Sequence, residues 1–312
     1  MCIKERNTSD VTCKKLLRDE GCFADLCNYA FFNGRQVIQP EELVSRENDL
    51  STLIGKVDKP TEIKRYRDVV RKASIHGEYV IIGVEHQSTF DEKMIFRILN
   101  YDATIYINQV ESKQEIYPVG SFVFYTGDKE WKSPETLKET LKSIPPEMEP
   151  YINDWRLPVV ELKTMDARKL TNQRLRDVVE ISQSMFAGNY DDLRNNRKIE
   201  TENFMMAATF TRTKIKREDL PEGDEINMCE AMDRLFQRLR NEGEVLGLEK
   251  GETIGIEKGK SDTLKEQLKV KLGTLSRPLE KQLTNTSLEK LNELTLNIFN
   301  VTNEEDVLRI IN

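Results

Sequence analysis

The run Tyr79-Val80-Ile81-Ile82-Gly83-Val84 constrains the fold more than any other stretch of this chain. Branched side chains crowd a helix and suit a pleated strand. Successive strand residues point to opposite faces, so an unbroken apolar run must be covered on both sides. That is the place of a central strand in a layered α/β domain. Around it, residues 66–73 are expected to be extended, and the polar span 74–78 with Gly77 to be a hairpin turn. Residues 119–125 and 157–162 read as further strands, the former closed by Thr126-Gly127-Asp128. Apolar residues at three- and four-residue spacing predict a helix over 13–33 that stops at Gly34. Other helices are expected over 91–110, 170–187, 200–209 and 226–242, with a short one over 135–142. Residues 45–60 read as a polar loop. Strands set among helices predict a mixed α/β core followed by a helical part.

The 312 residues, 38% hydrophobic and 32% charged, allow a sizeable core under a very polar surface. A net charge of −7 excludes a uniformly basic coat. It does not exclude a local polyanion site, because the window 60–110 is neutral, with seven basic and seven acidic residues. Its basic residues include Lys64, Arg65, Arg67, Arg71, Lys72, Lys93 and Arg97, and a second group is Arg212, Lys214, Lys216 and Arg217. Either group is a solvated surface unless it shares a face with a reactive site. Cys2, Cys13, Cys22, Cys27 and Cys229 make an odd set without a disulfide framework. No signal-like or membrane-spanning apolar segment is read, so a reduced, cytoplasmic setting is expected.

Gly243, Gly247, Gly251, Gly255 and Gly259 recur every fourth residue within EGEVLGLEKGETIGIEKGK. On a helix they form a slowly winding small-residue stripe, at about 1 kcal/mol of helix propensity per glycine. Two readings stand: a loosely helical charged linker, or a segment through which copies of the chain pair. Residues 263–311 then read as two or three short amphipathic helices.

Several chemistries lack their residues. His76 and His86 are the only histidines, too few for an ordinary zinc cluster. There is no phosphate-binding glycine loop, nucleophile elbow or H-E-x-x-H pair. One constellation remains. Glu85 and Gln87 close the central strand and project to one face, while His86 points away. If 66–73 and 79–87 form a hairpin, Asp68 comes beside Glu85. Two carboxylates there can hold a hard cation such as Mg²⁺, and Lys93 and Arg97 can meet phosphates. Spacing alone leaves this open beside ordinary surface acids at a strand end. Arg97 can equally brace Asp102 or Glu85.

The segment RYRDVVRKAS…YVIIGVEHQSTFDEKMIFRILNYDATIYINQ resembles the PD-(D/E)XK nuclease family transposases, also described as recombination-promoting nucleases. The R-D, G-x-E-x-Q and M-x-x-R-x-x-x-Y-D elements carry the resemblance. So do F-A-D-x-x-N with G-x-x-V-I-x-P-x-x-L near the start, and V-G-S-F-V-F-Y-T-G-x-x-x-W at 119–131. The likeness is strong over 16–131 and weak after 165.

The resemblance implies a restriction-endonuclease-like mixed sheet flanked by helices, with a helical C-terminal extension. It implies a core over 1–165, a helical region over 166–242, the glycine-repeat segment 243–262 and a small helical region 263–312. It implies a Mg²⁺-dependent (or Mn²⁺-dependent) DNA endonuclease linked to recombination or mobile elements. Asp68 and Glu85 are then metal carboxylates, and Asp25, or as the alternative Glu20, an additional acid from the first helix. Against that, Asp25 reads alone as a helix residue paired with Arg18 or Arg35. Gln87 stands where the wider superfamily often has lysine; it can orient a water but supplies no cation. Arg67, Lys93, Arg97 and Tyr101 are candidates for phosphate contact, with Tyr101 alternatively a core residue. DNA is the implied partner, no membrane is, and self-association is expected, through 243–262. A catalytically weak DNA-binding or assembly protein on the same fold is the rival reading.

Overall fold

A computed structural model of the protein describes the backbone of residues 3–44, 69–113 and 115–312, with side chains from Thr8 onward. The chain divides into two compact units, Met1–Arg234 and Leu235–Asn312.

The first unit is built on a five-stranded sheet in the order β1 (Leu43–Val44), β2 (Val69–Ile75), β3 (Glu78–Gln87), β4 (Val119–Tyr125) and β5 (Val159–Glu161). The first three strands pair antiparallel and the last two join in parallel, so the sheet is mixed as expected. The apolar run sits in the central strand. The β2–β3 turn is the two residues His76 and Gly77, with φ of 52° and 86°. Two positive φ values match the right-handed twist of a hairpin, and glycine takes one without strain.

Helices cover both faces. On one face α1 (Ile3–Arg18) and α2 (Glu20–Phe32) join α4 (Gln173–Ala187) and α5 (Thr201–Thr211). Their Leu16, Phe23, Leu26, Val178 and Phe210 pack with Ala73, Ile82, Val84, Phe122 and Phe124 of the sheet. On the other face α3 (Met94–Glu111) packs Met94, Ile95 and Ile98 with Val123, Tyr125 and Trp131. Alternate side chains of β3 and β4 therefore serve opposite cores, as strand geometry requires.

The helix expected over 13–33 is two helices. Asp19 leaves the helical region (φ −68°, ψ 122°) and its carboxylate accepts from the Cys22 N–H at 2.8 Å, capping α2. Arg71 of β2 closes the end of α1 by donating to the carbonyls of Leu17 and Arg18, at 3.0 and 2.8 Å. The helix expected over 135–142 shrinks to a 3-10 turn at Lys138–Thr140. A two-stranded sheet, β6 (Lys198–Glu200) with β7 (Glu225–Asn227), was not expected, since each strand is only three residues long. The helix expected over 226–242 belongs to α6, Met228–Leu272, which runs on through the glycine repeat.

In the second unit the end of α6 packs with α7 (Arg277–Thr284), α8 (Leu288–Asn297) and α9 (Glu304–Ile311). Their core is Leu264, Leu268, Leu275, Leu279, Leu283, Leu291, Leu294, Val301 and Val307. Ser276 and Asn303 cap α7 and α9 through their side-chain oxygens. Among the described residues no helix is long and apolar enough to cross a membrane. Cys13, Cys22 and Cys27 are buried and outside any disulfide, and burial pushes the Cys22 and Cys27 thiols above their ordinary range, so those two act as small apolar groups.

Candidate functional site

The last turns of β3 set the site. Glu85 and Gln87 share the α3 face with Val123 and Tyr125, their register partners on β4. Both are buried, at 4% exposure. A carboxylate taken out of water needs compensation. Arg97 supplies it by donating to Glu85 Oε1, and the Gln87 amide donates to the same oxygen at 3.2 Å. Arg97 also donates to Asp91 at 3.0 Å, and the other Asp91 oxygen accepts from the Lys93 N–H at 2.9 Å, shaping the entry to α3. Burial would lower the Arg97 pKa. Its hydrogen bonds to Tyr101 and Asp91 and the charge of Glu85 outweigh that, so the guanidinium is held above its ordinary value.

Tyr101, one turn along α3 from Arg97, is half-buried in the α3 core. Lys93 is exposed where α3 begins. His86 points to the opposite face as expected, bonded to Asp10 and Thr126, each at 2.9 Å. Asp102 accepts from Ser121 at 2.6 Å and Trp155 at 3.0 Å, while Arg97 takes Glu85. Asp68 and Arg67 lie outside the described residues. The pair next to Asp68 in sequence is Val69 opposite Val84, which precedes Glu85.

The structure does not bring Asp25 to Glu85. Asp25 sits in α2, whose apolar residues pack on the other face of the sheet. Its Oδ2 accepts from the N–H groups of Thr171 and Asn172, at 2.7 and 2.8 Å. Its Oδ1 accepts from Gln36 at 2.9 Å and the Thr171 hydroxyl at 3.2 Å. Asn28, one turn on, accepts from the N–H groups of Val37 and Ile38 at 3.1 and 2.9 Å. The two polar residues of the F-A-D-x-x-N segment thus tie α2 to residues 36–38 and 171–172.

Three features escaped the sequence reading. Asp91, the second partner of Arg97, is signalled only by an acid just ahead of a helix. Gly127 packs on Tyr125 so closely that a Cβ there would stand 2.2 Å from the phenol oxygen. The Tyr125 pKa is raised, mainly by burial and then by Glu161, with Arg212 opposing, so the phenol keeps its proton. Arg212 ends α5 in the left-handed region (φ 58°) and donates to the Ser88 carbonyl at 2.9 Å, one residue past Gln87. Of the same basic group, Lys216 pairs with Glu218, and Arg217 binds the carbonyls of Pro221 and Gly223. These groups gather where β3 and β4 end, the edge at which open α/β sheets accept ligands.

Among the described residues no three His, Cys, Asp or Glu side chains come together as a metal cluster. The donors at hand, the Glu85 carboxylate and the Gln87 amide oxygen, are hard oxygens of the kind Mg²⁺ takes. They fit part of such a set, with Arg97 competing for Glu85 Oε1. No curated protein and no solved structure matches the chain. Residues 61–211, which end with the last residue of α5 and take in Glu85, Gln87, Arg97 and Tyr101, match the model of the family described as "Putative transposase, YhgA-like".

Proposed function

We propose that the protein is a metal-dependent DNA endonuclease of the PD-(D/E)XK type, serving recombination or a mobile element. One observation carries the reading: Glu85 and Gln87 emerge buried on one face at the end of the central strand, beside Arg97. The family match over 61–211 supports it. Extending the antiparallel register by one pair beyond Val69–Val84 would set Asp68 beside Glu85.

Asp68 and Glu85 would hold Mg²⁺ (or Mn²⁺). When bound, the ion would polarise a phosphate oxygen and lower the pKa of water. Gln87 orients the attacking water through its amide. Arg97, steadied by Tyr101, and Lys93 and Arg67 offset charge on the phosphate. Asp25 holds α2 against the start of α4 and stays outside this set. DNA contact is local, so affinity is modest and falls with salt. No base-reading element is recognised, so sequence preference is weak. One such site cuts one strand, and self-association would bring a second. The cytoplasm is the expected setting.

The test is nicking of supercoiled plasmid with Mg²⁺ and with chelator. Asp68→Ala and Glu85→Ala should each abolish nicking. Undiminished cleavage by both would overturn the site. The rival reading, a catalytically weak DNA-binding protein, is favoured by Arg97 occupying Glu85 and by Gln87 in place of lysine. It predicts DNA retention without nicking at any divalent concentration.

A further inference from the structure

From Asn241 to Ile256 every residue of α6 is exposed, including apolar ones. Leu248 is 74% exposed and Ile254 62%. A Cβ placed on Gly243, Gly247, Gly251, Gly255 or Gly259 would meet nothing within 4 Å. At about 100° per residue, Leu248 and Ile254 lie roughly 60° to either side of Gly251. Gly247 and Gly255 fall between, and Glu244 and Lys258 project within about 20° of the Gly251 direction. One face of the helix thus has a backbone floor, two apolar walls and a charge of opposite sign at each end.

We propose that this face docks a second copy of the chain, antiparallel, about a two-fold axis through Gly251. In that register each residue meets the one equally far on the other side of Gly251. Leu248 packs on the partner's Ile254. Glu244 meets the partner's Lys258, and Lys250 meets the partner's Glu252. Gly247 lies against the partner's Gly255, so the two backbones approach closely. The face is self-complementary, as a two-fold interface must be. Parallel pairing in register would instead set Glu244 on the partner's Glu244 and Lys258 on the partner's Lys258. Glycines along an i±4 row favour helices crossing near −50°, which limits the contact. The interface is smaller than a standard one, so dissociation on the order of micromolar is expected. None of these residues belongs to the proposed nuclease site, so the pairing stands or falls separately.

The test uses the full chain and sedimentation equilibrium. Glu244→Lys and Lys258→Glu should each weaken the dimer by about ten-fold, because each change makes two like-charge contacts. The double variant Glu244→Lys/Lys258→Glu should restore it, since the pairs are rebuilt with signs exchanged. In a Cys229→Ser background, Leu248→Cys alone should form no intermolecular disulfide. Mixed with Ile254→Cys, it should form one. A monomeric wild type, a double variant no tighter than the singles, or self-linking of Leu248→Cys would each overturn the proposal.

Discussion

Arg97 of α3 is bonded to Glu85 of β3, so one ion pair joins the helix to the buried end of the central strand. Arg97→Ala strands a carboxylate that is only 5% exposed. Losing one partner of a fully buried pair costs about 3–5 kcal/mol. Arg97 itself is 35% exposed, which lowers the expected cost to about 2 kcal/mol. Urea denaturation should find it, with Arg97→Lys recovering only part because a lysine cannot reach Glu85 and Asp91 with a planar fork.

Gln87→Ala leaves β3 intact and removes the amide that we propose orients water. Turnover on plasmid should fall by about 100-fold with little change in DNA affinity. Unchanged turnover would show that Gln87 only steadies Glu85.

Asp25→Asn separates scaffold from chemistry. An amide has one acceptor oxygen where the carboxylate has two, and Asp25 uses both. A loss of about 2 kcal/mol is expected. Mg²⁺ affinity, followed by titration calorimetry, should not change. A selective loss of Mg²⁺ binding at unchanged stability would return Asp25 to the metal set.

Gly127→Ala must displace the Tyr125 ring, since the new methyl would stand 2.2 Å from its oxygen. Overpacking of this kind costs about 1–3 kcal/mol. The thermal midpoint should drop and tyrosine fluorescence should report a moved ring.

Glu202 gives a pH dependence. Burial raises its pKa, but Lys15 and Arg174 outweigh burial and hold it below the ordinary 4.5. Its folded pKa lies below its unfolded one, so its contribution is complete above pH 4.5 and is lost as pH falls through the lowered value. Melting curves of the wild type and Glu202→Gln should differ at neutral pH and converge in acid. A constant gap across that range would contradict the ion pairing.

Much of the fold was legible because strand and helix periods leave separate marks. Tyr79–Val84 announced a strand covered on both sides, and Gly77 the turn before it. Glu85 and Gln87 on one face, with His86 on the other, followed from a period of two. The break at Asp19 was hidden because apolar spacing runs on across it. The strands Lys198–Glu200 and Glu225–Asn227 were hidden because three residues show no period.

By itself the sequence determined which residues share a face: that depends on backbone geometry within one element, which neighbours along the chain already define. It also determined the self-complementary order of charge about Gly251. Only the tertiary structure decided which faces meet. It gave Arg97 to Glu85 while Asp102 holds Ser121 and Trp155, and it set Asp25 among the amides of Thr171 and Asn172. It also carried Arg212 to the carbonyl of Ser88. Those partners lie from 12 to 147 positions apart, and a buried charge settles on whichever donors packing brings to it.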